Sequence, residues 1–245
     1  MTLEAYQAIL CDLDGCLISG ETVLPGAAEF VAAYRDRIWI VSNNSTDTPH
    51  SLSARLHRLG LEISPDRIFL AGMAAIEHVA QKFAGRSVAI FGTAHLQEAA
   101  IDAGLRFDPI APDVVILARD IAFDYHALTK LISYVRSGAE LVVTNTDNWH
   151  PGPDGAPVPE TGALLAAIVA CLPDVAFTTV GKPQGILITQ TLSAASCTAA
   201  ETAFIGDNPR TDGEGAKALG IAFFQVGPHQ THLSDLLPGV LGPTV

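Results

Sequence analysis

The stretch Ala8-Ile9-Leu10-Cys11-Asp12-Leu13-Asp14-Gly15 decides how this 245-residue chain reads. Four apolar residues run straight into two carboxylates two positions apart, and a glycine follows. The apolar run has the character of a strand covered on both faces. Side chains of a strand alternate with a period of two, so Asp12 and Asp14 could point the same way. A turn begun at Gly15 would instead let Asp14 swing beside Asp12. Unit charges about 4 Å apart at an effective dielectric near 20 interact by roughly 4 kcal/mol. An isolated Asp-x-Asp can be a solvated acidic turn, whereas a buried pair requires a shared proton, a metal cation, or both.

Outward from this stretch the same pattern recurs. Short apolar runs at 38–41, 88–91, 114–117, 141–144, 203–205 and 222–226 predict further strands, buried on both faces and joined in parallel. Amphipathic stretches at 26–35, 48–59, 74–83, 96–103, 125–137, 161–171, 184–192 and 212–219 predict helices between them. Alternating strands and helices specify an α/β fold with right-handed crossovers. The segment from Pro151 to Pro159, with four prolines and two glycines in nine residues, is expected to be an irregular loop.

Three more polar segments fall where a strand is predicted to end. Ser42-Asn43-Asn44 follows 38–41, Gly181-Lys182-Pro183 follows a strand at 177–180, and Gly206-Asp207-Asn208-Pro209-Arg210-Thr211-Asp212 follows 203–205. In an open parallel sheet the carboxyl ends of the strands form the ligand crevice, so the four segments are expected to converge on one pocket. Gly181-Lys182 is no nucleotide-binding P-loop: Pro183 stands where Ser or Thr is needed, and Ala176 where the first glycine should be.

The ordered set D-x-D-G, S-N-N, G-K-P and G-D-x-x-x-T-D resembles the haloacid-dehalogenase-like phosphatase superfamily, over almost the whole chain. The resemblance implies a Rossmann-like parallel-sheet core and hydrolysis of a phosphomonoester. Asp12 would be the nucleophile forming an aspartyl-phosphate, and Asp14 the general acid and base. A Mg²⁺ cofactor would be held by Asp12, Asp207 and the Asp14 backbone carbonyl, with Asp212 outside the first ring of ligands. Ser42 and Asn43 would donate to phosphate oxygens, and Lys182 would pair with Asp12 and the phosphate. A dehalogenase would need Asp12 but neither Asp14 nor the metal carboxylates.

Spacing places a second domain. Only 28 positions separate Asp14 from Ser42, whereas 140 separate Ser42 from Lys182, far more than one crossover needs. An α/β module with three strands is therefore expected at 75–176, inserted into a core formed by 1–74 and 177–245. This placement resembles subclass IIA, with a C2-type cap, which includes p-nitrophenyl, pyridoxal phosphate and phosphoglycolate phosphatases. Such a cap would exclude water and present specificity groups. The stretch Thr144-Asn145-Thr146-Asp147-Asn148-Trp149-His150 is similar to their substrate-facing segment, which makes Asp147, Asn148 and His150 candidate substrate contacts. The G-T-G turn that follows in such proteins is altered here by Glu160. The remaining seven histidines show no metal-ligand spacing.

Composition narrows the partners. Apolar residues make up 49% of the chain, enough for a real core. With 14 Lys and Arg against 26 Asp and Glu, the net charge is −12. No basic stripe is present to displace counterions from a nucleic acid, so none is expected as a partner. No run approaches the roughly 18 apolar residues of a membrane span. Four cysteines without C-x-x-C pairing and an N-terminus without a signal-peptide pattern point to the cytoplasm. The expected partner is a small phosphorylated metabolite, and the resemblance allows a homodimer through the cap. The competing reading is a catalytically weak regulator that binds a phosphometabolite.

Overall fold

A computed structural model describes residues 2–151, 156–227 and 230–239. The chain divides into two compact units, one of Met1–Ser42, Pro49–Phe69 and Lys182–Val245, the other of Asn43–Thr48 and Leu70–Gly181.

The first unit is built on a five-stranded sheet in the order Ala222–Gln225, Thr202–Gly206, Ala8–Cys11, Ile38–Ser42, Ile68–Leu70. Ala8–Cys11 lies in the middle and pairs in parallel with Thr202–Gly206 on one side and Ile38–Ser42 on the other. All four of its residues are buried, as the unbroken apolar run requires of a central parallel strand. Ile9, Leu10, Phe204 and Ile205 are wholly enclosed. Asp12 follows the first strand, Ser42 closes its neighbour and Asp207 follows the other neighbour, so parallel pairing places three polar segments at one end of the sheet. Between Asp14 and the first helix, Ile18–Ser19 and Thr22–Val23 form a short antiparallel hairpin.

The second unit has its own five-stranded parallel sheet, ordered Phe177–Thr179, Glu140–Val143, Val114–Leu117, Ser87–Phe91, Arg106–Phe107. Val115, Leu117, Leu141 and Val143 pack with Leu131, Leu165 and Ile168 of the covering helices. Helix Tyr125–Arg136 starts at Asp124, whose carboxylate accepts from Ala127 N at 2.7 Å, a side-chain N-cap.

The structure differs from the sequence-based expectation at several places. The strand at Phe177–Thr179, read as leading the Gly181-Lys182 segment out of the first sheet, pairs instead with Glu140–Val143. Two short outer strands thus make five where three were expected. The compact units change over at 42–43, 48–49, 69–70 and 181–182, where the sequence reading drew domain bounds at 74–75 and 176–177. The proline-rich segment is not wholly irregular. Trp149–Pro151 and Pro157–Pro159 pair antiparallel, with residues 152–155 outside the described ones. Hydrogen-bonded and non-bonded pairs alternate along such a ladder. With His150 opposite Val158, the prolines at 151, 157 and 159 fall on alternate pairs that need no N–H. Finally, 212–219 is not one helix, because Pro209–Gly213 forms a wide π-helical turn before the helix Glu214–Leu219.

Truncating Phe204, wholly enclosed in the first sheet, to alanine is expected to cost about 3–5 kcal/mol. The melting temperature should fall by roughly 10 °C. Phe177→Ala, at a residue 41% exposed, should cost far less, and a thermal melt of both variants checks the contrast.

Candidate active site

At the carboxyl end of the first sheet, Asp12 leaves the strand with its backbone N–H donating to Ile205 O at 2.9 Å. Its carboxylate is nearly buried and accepts a 2.7 Å hydrogen bond from Lys182 Nζ. The same ammonium stands 2.7 Å from Asp212 Oδ1. Asp212 is completely enclosed, and its other oxygen accepts from Asn208 N at 3.2 Å across the π-helical turn. The wide turn thus brings a carboxylate inward that a regular helix start would leave at its surface.

Asp207 completes the group. Ligand oxygens of Asp12, Asp207 and Asp212 lie within 4.8 Å of one another. Gly15, at φ +83°, makes room for this: a Cβ there would sit 2.4 Å from Asp207 Oδ2. The glycine of D-x-D-G therefore serves both the left-handed turn and the close approach of Asp207.

The electrostatics follow from three buried or half-buried carboxylates facing one ammonium. Burial, followed by the charge of Asp12, pushes Asp207 up to about 6 and Asp212 up to about 7. Burial acts to lower the Lys182 pKa, but the charges of Asp12 and Asp212 outweigh it and hold the group well above the ordinary lysine range. Lys182 is a fixed cation. Three hard oxygen donors carrying more negative charge than one lysine offsets are suited to a divalent cation.

Not every expected residue joins this group. Asp14 is exposed, and its carboxylate is not among the three clustered ones; its expected metal contact was through the backbone. Asp212, expected outside the metal ligands, stands in the carboxylate cluster while also pairing with Lys182. Ser42 is buried at its strand end.

Asn43, Asp147, Asn148 and His150 belong to the second unit. The Asn43 amide donates to Asp147 Oδ2 at 2.8 Å. Asn148 is exposed, with its carbonyl accepting from Glu160 N at 3.0 Å. His150 Nδ1 is 2.7 Å from Glu160 Oε1, and Arg119 Nε lies 3.4 Å from the same oxygen. Burial raises the Glu160 pKa against the pull of Arg119 and His150. Sequence reading did not assign Asn145, Arg119 or Glu160 a place. The string T-N-T-D-N and the altered G-T-G turn were the available signals for Asn145 and Glu160, and Arg119 carried none.

Known proteins resemble the chain over most of its length. The haloacid dehalogenase-like hydrolase family matches residues 9–106, and a related HAD-hydrolase-like family matches residues 179–240. The chain is 30% identical over 216 residues to the dihydroxyacetone phosphatase of Corynebacterium glutamicum, covering 87% of this chain and 78% of that one. It is 29% identical over 213 residues to the 5'-nucleotidase YutF of Bacillus subtilis, covering 86% and 82%. Among solved structures, the p-nitrophenyl phosphatase from Archaeoglobus fulgidus superimposes with a TM-score of 0.86 at 26% identity, over 94% of this chain and 90% of that one.

Replacing Lys182 by methionine removes the one ammonium between buried carboxylates and is expected to cost about 3–5 kcal/mol in the metal-free protein. A thermal melt checks this. The pH dependence has a defined sign. Asp207 and Asp212 titrate near 6 and 7 in the fold, above an unfolded value of about 3.9. The folded state thus holds extra protons between about pH 4 and 7, and stability from these groups is lost as pH rises through that window. Metal-free protein should melt lower at pH 8 than at pH 5.5. Asp212→Asn should flatten the slope, and an added divalent cation should raise the melting temperature more at pH 8.

Proposed function

The chain belongs to the haloacid dehalogenase-like hydrolase family and is a phosphatase of that family, and from that premise we propose that it is a Mg²⁺-dependent phosphomonoesterase working through an aspartyl-phosphate on Asp12. The observation that carries this reading is the constellation of Asp12, Lys182, Asp207 and Asp212 at one end of the first sheet. The donor set fits Mg²⁺: it is all oxygen, and the raised pKa values of Asp207 and Asp212 register negative charge that Lys182 does not offset. Asp12 and Asp207 would hold the ion together with the Asp14 backbone carbonyl. Asp212 would hold Lys182 in place. When bound, Mg²⁺ supplies charge screening that lets a carboxylate approach a dianionic phosphate.

The chain's own groups divide the rest of the work. Asp12 attacks phosphorus, forming the aspartyl-phosphate as the ester oxygen leaves. Asp14, exposed beside the turn at Gly15, gives that oxygen a proton and later takes one from the attacking water. Lys182, permanently charged, orients Asp12 and offsets charge that builds on the phosphoryl oxygens. Ser42 and Asn43 donate to those oxygens.

The substrate is a small phosphorylated metabolite. Pyridoxal phosphate, phosphoglycolate and p-nitrophenyl phosphate stand first, then nucleotides and sugar phosphates, a range in keeping with relatives named dihydroxyacetone phosphatase and 5'-nucleotidase. The α/β module between the S-N-N and G-K-P motifs is the cap that selects among them, with Asp147, Asn148 and His150 as substrate contacts. The four cysteines are free thiols, in keeping with a reducing cytoplasm.

The test is phosphate release from p-nitrophenyl phosphate with Mg²⁺ and with EDTA. Turnover is expected with the metal and its loss with the chelator. Asp12→Asn should lower kcat at least about 1,000-fold while the circular dichroism spectrum stays unchanged. Binding of phosphoesters without any turnover would identify a regulator instead, and full activity in Asp12→Asn would remove Asp12 as nucleophile.

A further inference from the structure

The last strand of the first sheet, Ala222–Gln225, ends on a residue out of keeping with its neighbours. Ala222, Phe223, Phe224 and Val226 are apolar, and Gln225 alone among them carries a side-chain amide. Parallel pairing sets Gln225 opposite Gly206, the residue directly before Asp207. The backbone ladder runs one step further, with Val226 N donating to Gly206 O at 3.0 Å. From this end of the strand the Gln225 side chain reaches across, and its Nε2 donates to Asp207 O at 3.3 Å, 18 positions back in the chain. Both residues lie in the first unit and both are half-buried.

Asp207 stands where restraint by the sheet ends. It follows Thr202–Gly206, and only Asn208 separates it from the π-helical turn Pro209–Gly213. Its carboxylate nevertheless keeps company with those of Asp12 and Asp212, the ligand oxygens all within 4.8 Å of one another. Gly15 permits that approach, since a Cβ there would sit 2.4 Å from Asp207 Oδ2. A vacant space admits the carboxylate without aiming it. A side chain leaves its Cα in a staggered rotamer defined by the backbone, so a hydrogen bond to the Asp207 carbonyl steadies the base from which the carboxylate projects. Mg²⁺ demands near-ideal octahedral geometry, which makes the direction of each protein ligand matter. The amide is also neutral. It holds the peptide without adding a second cation to the one ammonium that faces these carboxylates, and so it does not compete with a metal ion for their charge.

We propose that Gln225 is a positioning residue that holds Asp207 in place for the divalent cation, acting through the Asp207 backbone and touching neither the ion nor the substrate. The assignment rests on the reading of Asp207 as a ligand of Mg²⁺ and extends it to a strand that none of the four motifs includes. A residue in this position affects how tightly the metal is held. Once the metal is saturating, the phosphoryl chemistry belongs to other groups and proceeds at its ordinary rate.

The experiment measures the affinity for Mg²⁺ alone by isothermal titration calorimetry, and the rise in melting temperature with Mg²⁺ concentration, in wild type, Gln225→Met, Gln225→Leu and Phe224→Leu. Methionine keeps the length of glutamine and loses the donor. Phe224→Leu loosens the same strand, where the Phe224 ring meets Tyr6 edge-on at 6.1 Å, and leaves the amide intact. Gln225→Met is expected to weaken Mg²⁺ binding about tenfold, with kcat on p-nitrophenyl phosphate at saturating Mg²⁺ within about twofold of wild type. Phe224→Leu should leave the Mg²⁺ affinity within about twofold. If Gln225→Met does not fold, Gln225→Leu carries the same measurement. Mg²⁺ affinity within twofold of wild type in the Gln225 variants, equal weakening by Phe224→Leu, or a tenfold fall in kcat at saturating Mg²⁺ would each overturn the proposal while leaving the phosphatase reading intact. A wild-type protein that neither binds Mg²⁺ nor releases phosphate overturns both.

Discussion

A single buried ammonium facing three carboxylates is the constraint on which the first unit depends. Lys182 is enclosed between Asp12 and Asp212, 2.7 Å from each, and Asp207 adds a third acid to the same space. Buried charges that lack a partner shift their pKa or exclude one another. Here the lysine is driven firmly to its charged form while Asp207 and Asp212 are driven toward protonation. The arrangement is thus incomplete by itself in electrostatic terms. Whatever completes it must carry positive charge and accept oxygen donors, and this is why a metal ion enters the reading.

Parallel strands make such a cluster attainable. Residues that follow neighbouring parallel strands emerge at the same end of the sheet. Asp12 and Asp207 are therefore brought together by the pairing of Ala8–Cys11 with Thr202–Gly206, residue for residue from Ala8 opposite Thr202 to Cys11 opposite Ile205. A slip of that register would separate the two acids, and the enclosed apolar side chains of both strands hold it in place. Gly15 contributes by absence, since any side chain there would occupy the space of Asp207.

Much of this was legible in the sequence because it depends on order and spacing. Asp12, Lys182, Asp207 and Asp212 sit in short motifs whose order along the chain restricts the chemistry, even though each motif alone says little. Membership of a sheet was less legible. The segment Phe177-Thr178-Thr179 reads as a strand of either unit, and only pairing with Glu140–Val143 assigns it. The hairpin at Trp149–Pro151 and Pro157–Pro159 was hidden because proline signals a break unless its place in the ladder is known. The bond between Asn43 and Asp147 was hidden for a different reason: it joins residues 104 positions apart that each looked, in isolation, like a ligand for phosphate or substrate. Sequence marks polar residues as available without showing which of them already serve one another.

The choice of lysine at position 182 follows from the same geometry. One nitrogen must serve two carboxylates that approach from different parts of the chain, Asp12 at a strand end and Asp212 in a π-helical turn. An ammonium has three rotatable donors on a compact charge and can satisfy both. A guanidinium is a planar fork matched to one carboxylate at a time, and it is larger than a site that leaves lysine 2% exposed. Arginine would keep the charge and lose the sharing. Because Asp212 fixes the far side of the ammonium, the orientation of Asp12 depends on a residue 200 positions along the chain, and the two acids behave as one unit joined through the lysine.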